Sequence, residues 1–357
     1  MGLADEYRKK YGPLADGQVA RLCQQLAENQ EVLEELKEHG LPVNSGMLAK
    51  VSGVKDFQLR IVVPCVGHII DSTTAGVTYS GLENVTQGAI LAATHTDILF
   101  DSSVVNWILA NEGRETTFIA AGSNLFVYEL ATLLMRANKT YGVVRAKASK
   151  SDLIGLSEMV NKDCRIGQAH FISSEGRAKD GRHRLGAKVV KMWMLSTGLS
   201  ASEYVTKQAI VPVSITYEFI PDAERMAGQR LASAQDPGWK KAPDEDLKSM
   251  LSGLFGWKDR VHVAFGKRVI GQYDSPDAVA ASIDAENHRN ARLFPTHHLG
   301  YTAIERGIVV ARNSLQQFKP EERSAARLWE SMQYFSERKQ MAILEQYGNV
   351  AKDHYAS

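Results

Sequence analysis

Between residues 76 and 270 the chain alternates short apolar runs of strand length with segments of helical spacing, and few architectures accept that pattern. The runs 77–79, 89–94, 116–121, 141–144, 169–173, 210–216 and 261–265 read as strands, and 98–111, 125–136, 152–160 and 185–195 read as helices. Successive strands separated by helices pair through crossovers that lay those helices on the faces of a sheet. The expected fold is α/β, a central mixed sheet flanked by helices. In such sheets functional groups collect beyond the carboxyl ends of the strands.

The flanks differ in texture. Residues 5–39 place Val19, Leu22, Leu26, Val32, Leu33 and Leu36 at helical spacing before Gly40 and Pro42, the pattern of a helical hairpin. Three uses fit it: a packing cap, an interaction surface or a membrane-facing element. Residues 57–70 are the most apolar stretch, interrupted by Pro64 and Gly67 and too short to span a bilayer. They suit a membrane interface or a cover over the core, with His68 a core histidine. The polar stretch 221–258, broken by Pro237, Gly238 and Pro243, reads as an excursion or lid, and helical stretches around 313–318 and 321–347 close the chain. The expected organisation is an N-terminal helical region over 1–70, an α/β domain over 71–275 and a C-terminal helical addition over 276–357.

Composition narrows the function classes. With 42 Lys and Arg against 41 Asp and Glu, the net charge of +1 gives no global reason for a nucleic-acid partner, so any anion site must be local. Cys23, Cys65 and Cys164 have no C-x-x-C spacing, which fits a reducing compartment. The first residues have no apolar signal core, and no window reaches the ~18 apolar residues of a spanning helix. The expectation is a cytoplasmic protein with, at most, transient peripheral contact with the inner membrane surface through 61–70 or the N-terminal hairpin.

Four blocks carry the chemistry. In the first, 89–101, His95 falls at a strand-to-helix turn, where Asp97 or Asp101 could hydrogen-bond one ring nitrogen and leave the other free as a base toward an alcohol. The plainer reading makes Asp97 a helix N-cap, Asp101 a first-turn acid and His95 an ordinary loop residue. In the second, a strand runs directly into Glu175, Gly176, Arg177, Lys179, Gly181 and Arg182, donors able to hold a phosphate; a solvated basic loop is the alternative. The third puts Arg145 and Lys147 beyond another strand. The fourth, Val211-Pro212, places a proline where it can shape a pocket wall. No Gly-x-Ser-x-Gly elbow frames Ser102 or Ser103, and there is no Walker loop or dinucleotide fingerprint. His297 and His298 have no partner at metal spacing, so neither a metal nor a cofactor is expected.

The order of these blocks resembles the glycerophospholipid acyltransferase family, in its glycerol-3-phosphate and lysophosphatidate branches. That family has a His and an Asp separated by four residues, a Gly-containing strand ending in Arg, a Phe-x-Glu-Gly-x-Arg-Ser-Arg block and a strand with a Val-Pro pair. Residues 77–84 are similar to its lead-in strand and Gly-x-Glu-Asn turn, and 261–266 to its closing strand. Here five residues separate His95 from Asp101, and the Glu-Gly-Arg block is one residue shorter between Gly176 and Arg177, with Lys179 at the second arginine. Keeping the helix register selects Asp101 as the partner of His95; otherwise Asp97 takes that role. The resemblance implies that His95 is the general base for a glycerol hydroxyl attacking an acyl thioester, with no acyl-enzyme. It further implies that Arg145, Glu175, Gly176, Arg177, Lys179 and Pro212 belong to the acceptor site. The donor would be acyl carrier protein or acyl-CoA and the acceptor glycerol 3-phosphate. Lysophosphatidate, another alcohol or an amine are alternative acceptors, and a non-catalytic lipid-binding role is the remaining alternative.

Overall fold

The computed structural model describes residues 2–144, 148–174, 176–319 and 323–357. Seven strands, β1 (Thr74–Ser80), β2 (Ile90–Ala93), β3 (Phe118–Gly122), β4 (Thr140–Val143), β5 (His170–Ser173), β6 (Ile210–Tyr217) and β7 (Asp259–Phe265), form one sheet in the order β1-β7-β6-β2-β5-β3-β4. Neighbours run parallel except β6 and β7, so the sheet is mixed and flanked by helices, as the sequence pattern requires. The carboxyl ends of β2 to β6 therefore share one edge.

Strand β2 is at the centre because it can be buried on both faces. Leu91 and Ala93 pack on one side with Phe100, Val104, Val105 and Ile108, while Ile90 and Ala92 pack on the other with Met159, Val160 and Trp193. A period of two in a uniformly apolar strand gives this result: each alternate side chain meets a different layer of helices.

The N-terminal region is not a hairpin. Three helices, Leu3–Tyr11, Asp16–Glu28 and Gln30–Glu38, split between two supports. The first lies on the helix Lys150–Arg165, where Tyr7 Oη donates to the Gly142 carbonyl at 2.7 Å and Arg8 pairs with Asp163 at 2.5 Å. The others join Leu48, Phe57 and Ile61 in a separate apolar cluster. Gly12 and Pro13 break the run after the first helix, because the residue before a proline is pushed out of the helical region. Asn29 separates the next two by accepting the Val32 N–H at 3.1 Å.

Pro64 does not interrupt the apolar stretch either. Helical structure continues from Val54 to Thr73 through a widened π turn, Gln58–Val62, in which the Val63 N–H reaches the Gln58 carbonyl. The proline then falls in the first turn of the following helix Val63–Thr73, where its missing N–H costs little. Ile61, Val66, Ile69 and Ile70 are buried, so this stretch covers the core, while Leu59 is exposed. No helix among the described residues is long and apolar enough to cross a membrane.

The expected excursion over 221–258 holds two helices, Ala223–Gln235 and Glu245–Phe255. The C-terminal region holds more helix than its apolar spacing suggested: Pro276–Arg289, Pro295–Arg306, Ile308–Ser314, Ser324–Met332 and Glu337–Ala356. Small residues explain the difference, since a helix that packs through glycine and alanine leaves only a weak apolar stripe. A Cβ added to Gly300 would lie 2.4 Å from the Leu344 carbonyl oxygen, and one on Gly348 2.4 Å from the Gly300 carbonyl carbon.

That close crossing lets the last helix brace the strand ends. Tyr347 Oη accepts the Ile220 N–H at 2.8 Å, Gln346 Nε2 donates to the Ala223 carbonyl at 2.8 Å, and Asn349 Nδ2 donates to the Asp180 carbonyl at 2.8 Å. The chain segments leaving β5 and β6 are thereby held by one helix. Gly300→Ala should force the two helices apart and cost about 1–3 kcal/mol, the range for overpacked contacts. Urea unfolding of the purified variant reads this as a lowered midpoint.

Candidate active site

His95 follows β2 by two residues, and its position is set by a carboxylate that the next helix carries. Asp101, in the first turn of Phe100–Asn111 and 1% exposed, accepts the Thr96 N–H at 2.9 Å, the Asp97 N–H at 3.0 Å and His95 Nδ1 at 3.1 Å on one oxygen. Its other oxygen accepts Tyr217 Oη at 2.6 Å. A carboxylate can only accept here, so Nδ1 carries the proton and Nε2 is left with a lone pair. No hydrogen bond to Nε2 is made among the described residues. The additional residue between His95 and Asp101 is taken up in this turn, whose two backbone N–H groups point at the same oxygen as the imidazole.

Asp97 has a different task. Its Oδ1 accepts the N–H groups of Leu99 at 2.9 Å and Phe100 at 2.7 Å, closing the start of the helix. Burial pushes its carboxyl well above the usual range, the Asp101 charge adds to this, and Arg177 opposes it. The acid is enclosed by Gly253 of the helix Glu245–Phe255, where a Cβ would clash with Asp97 Oδ2. Nearby Lys258 is fully buried and donates to Thr73 Oγ1 and to the Leu254 and Gly256 carbonyls at 2.8–3.0 Å. Burial pulls its ammonium down, against the stabilising charge of Asp97. The geometry thus couples Asp101, not Asp97, to His95.

The basic loop after β5 reaches the same edge. Arg177 is buried and held on both sides: Nη1 donates to Asp222 Oδ2 at 2.5 Å and Nη2 to Ser249 Oγ at 3.0 Å. Arg225 also binds Asp222, through Nε at 3.1 Å. Lys179 is half-buried, and burial, with the charges of Lys241 and Arg177, lowers its ammonium. Gly176 has φ +140°, a backbone conformation that side chains rarely adopt. Arg145, Lys147 and Glu175 lie outside the described residues. Pro212 is not brought to the site: it is buried inside β6 opposite Ala92, one residue before the β6–β7 pairing begins. Its carbonyl accepts the Gly266 N–H.

A cavity of about 380 Å³ joins these groups. Arg177, Lys241, Asp246, Gly176 and Asn124 line its polar part, with His95, Ser102 and Ser103 beside them. Leu26, Val32, Leu36, Phe57, Ile61 and Ile69, from the N-terminal helices, form its apolar walls. The N-terminal region therefore both packs on the sheet's flank and lines part of the cavity. Tyr217, Asp222 and Lys241 were not singled out from the sequence. Tyr217 and Asp222 flank the end of β6, a position that could have flagged them, whereas Lys241 lies in a polar stretch with no local signal.

Tyr217→Phe leaves a lone pair of a buried carboxylate unsatisfied, and should destabilise the protein by about 1–3 kcal/mol. Urea unfolding measures it, with Tyr204→Phe, whose hydroxyl bonds Asn161 far from Asp101, as the comparison for losing a buried phenol.

Residues 76–216 match the model of the Acyltransferase family. No curated protein sequence matches the chain. Among solved structures it is similar to the 1-acyl-sn-glycerophosphate (LPA) acyltransferase PlsC from Thermotoga maritima. The identity is 14%, the coverage 76% of this chain and 93% of that one, and the TM-score 0.40. The family match runs from β1 into β6 and takes in His95, Asp101, Arg177 and Lys179, so the four sequence blocks fall within or at the edges of the stretch that is similar to the Acyltransferase family.

Proposed function

We propose that this acyltransferase moves a fatty acyl group from the thioester of acyl carrier protein or acyl-CoA to a hydroxyl of glycerol 3-phosphate. The observation that carries the reading is one cavity lined by apolar side chains of the N-terminal helices, by the cations Arg177 and Lys241, and by His95. The apolar lining suits an acyl chain, the cations suit a phosphate, and His95 suits the proton transfer that joins them. His95 Nε2 takes the proton of the attacking hydroxyl as its oxygen adds to the thioester carbonyl. Asp101 stabilises the imidazolium that forms, and the proton leaves with the thiol. No serine or cysteine needs to be acylated.

Arg177, fixed by Asp222 and Ser249, and Lys241, held by Asp246 at 2.7 Å, make the positive wall that receives the acceptor's phosphate, with Lys179 beside them. Arg145 and Glu175 belong to the same acceptor site on the strength of the resemblance. The lipid product argues for brief contact with the inner membrane surface by a cytoplasmic protein. Val127, Tyr128 and Leu130, exposed just beyond the cavity-lining Leu125, are the apolar groups placed for it.

Three measurements test this reading. Purified protein is incubated with labelled palmitoyl-CoA or palmitoyl-acyl carrier protein and a panel of glycerol 3-phosphate, lysophosphatidate and simple alcohols and amines, and products are identified by mass. Acylated glycerol 3-phosphate is expected; turnover confined to another acceptor overturns the assignment. His95→Ala should lower kcat by about a hundredfold to ten-thousandfold, the usual size of general-base effects, with the thermal midpoint unchanged. Lys241→Ala should raise the acceptor's KM by roughly tenfold or more, since a charge-assisted contact contributes about 1.5–3 kcal/mol, while the donor's KM stays put. Equal weakening toward both substrates would remove Lys241 from the acceptor site.

A further inference from the structure

The loop that carries Arg177 and Lys179 is also tied to the backbone of His95. The Ala178 N–H donates to the His95 carbonyl at 2.9 Å, and the His95 N–H donates to His183 Nδ1 at 3.3 Å. Both main-chain polar groups of the candidate base are thus bound by one segment, 178–183, at the end of a strand whose ladder has already stopped. A buried backbone N–H needs a partner, and here a side chain supplies it.

We propose that His183 is a positioning residue for the transfer reaction, a neutral imidazole that fixes the His95 backbone and couples it to the loop bearing the acceptor's cations. The inference rests on the reading of His95 as the base.

The surroundings suit that task. His183 Nδ1 must be unprotonated to accept, which puts the ring proton on Nε2. Burial, the largest influence, pulls the ring down to about 4, with the Asp101 charge opposing, so it stays neutral at ordinary pH. Three further contacts hold the segment. His288 Nε2 lies 2.9 Å from the His183 carbonyl, Asn349 donates to the Asp180 carbonyl at 2.8 Å, and the Leu185 N–H donates to Asp284 at 2.8 Å. Gly181, with φ +79°, is pressed on the backbone of the last helix, where a Cβ would fall 2.1 Å from the Gln346 carbonyl oxygen. The helices Pro276–Arg289 and Glu337–Ala356 therefore brace a loop whose inner side holds His95. A change of loop position would move the base and the cations together.

Side-chain shape gives a test that stability alone does not mimic. An asparagine at 183 can place Oδ1 where imidazole Nδ1 sits, whereas the longer glutamine matches Nε2. His183→Ala and His183→Gln should lower kcat by about tenfold to a hundredfold, the cost of misplacing a reacting group by about an ångström, with KM for both substrates little changed. His183→Asn should recover most of the rate. Amide hydrogen exchange at His95 provides a readout without turnover: slow in wild type and His183→Asn, and faster in the alanine and glutamine variants. Wild-type kcat or unchanged amide exchange in His183→Ala, or equal impairment of the asparagine and glutamine variants, overturns the proposal. His95→Ala is assayed alongside. If that variant keeps full turnover, the reading of His95 as base has failed, while the amide measurement still decides whether His183 fixes the His95 backbone.

Discussion

The site depends on a buried carboxylate with every position around it occupied. Asp101 gathers two backbone N–H groups, an imidazole and a phenol. Left unpaired, such a charge would be strongly unfavourable away from water. With four donors converging, it becomes a rigid node that fixes the turn after β2, the tautomer of His95 and the end of β6 together. The same bonds that make its burial tolerable orient the ring, so fold and chemistry share one set of interactions.

This arrangement explains why the spacing between His95 and Asp101 can be one residue longer than the family pattern. The additional residue lengthens a loop that closes on the carboxylate itself, so the imidazole and the backbone meet the same oxygen whatever the count. Asp97, the other candidate partner, is taken by the helix start, as its position ahead of Phe100 and a run of helical spacing implied. The alternation of strands and helices and the strand-end placement of His95 and Arg177 were legible because each is a local pattern. The partners were not. Tyr217 lies 116 residues from Asp101, and Asp222 lies 45 residues from Arg177. No periodicity reports such a contact.

The flanking helices show a second limit of local reading. Apolar spacing finds a helix that packs by large side chains, such as Asp16–Glu28, but Gly300 and Gly348 build a crossing from the absence of side chains. Pro64 misleads in the opposite sense, since a widened turn before it lets helical structure pass. In both cases the tertiary contact decides, and in both the element has a part at the site: Ile61 and Ile69 wall the cavity, and the last helix braces the loop of Arg177.

Charge at the site is paired. Asp97, which lines the cavity, and Lys258 are both buried and act on each other, so the start of the helix after His95 and the end of Glu245–Phe255 are joined by complementary charge as well as by the Gly253 contact. Facing the cavity, Arg177 is balanced by Asp222, and Lys241 by Asp246. Each cation arrives with an acid already in place. That balance stabilises the site, because an unopposed buried guanidinium would be costly. It also sets the terms for an anion. The acceptor phosphate proposed for the cavity would compete with carboxylates for donors that are already aimed, so geometry, more than net attraction, would decide what is held.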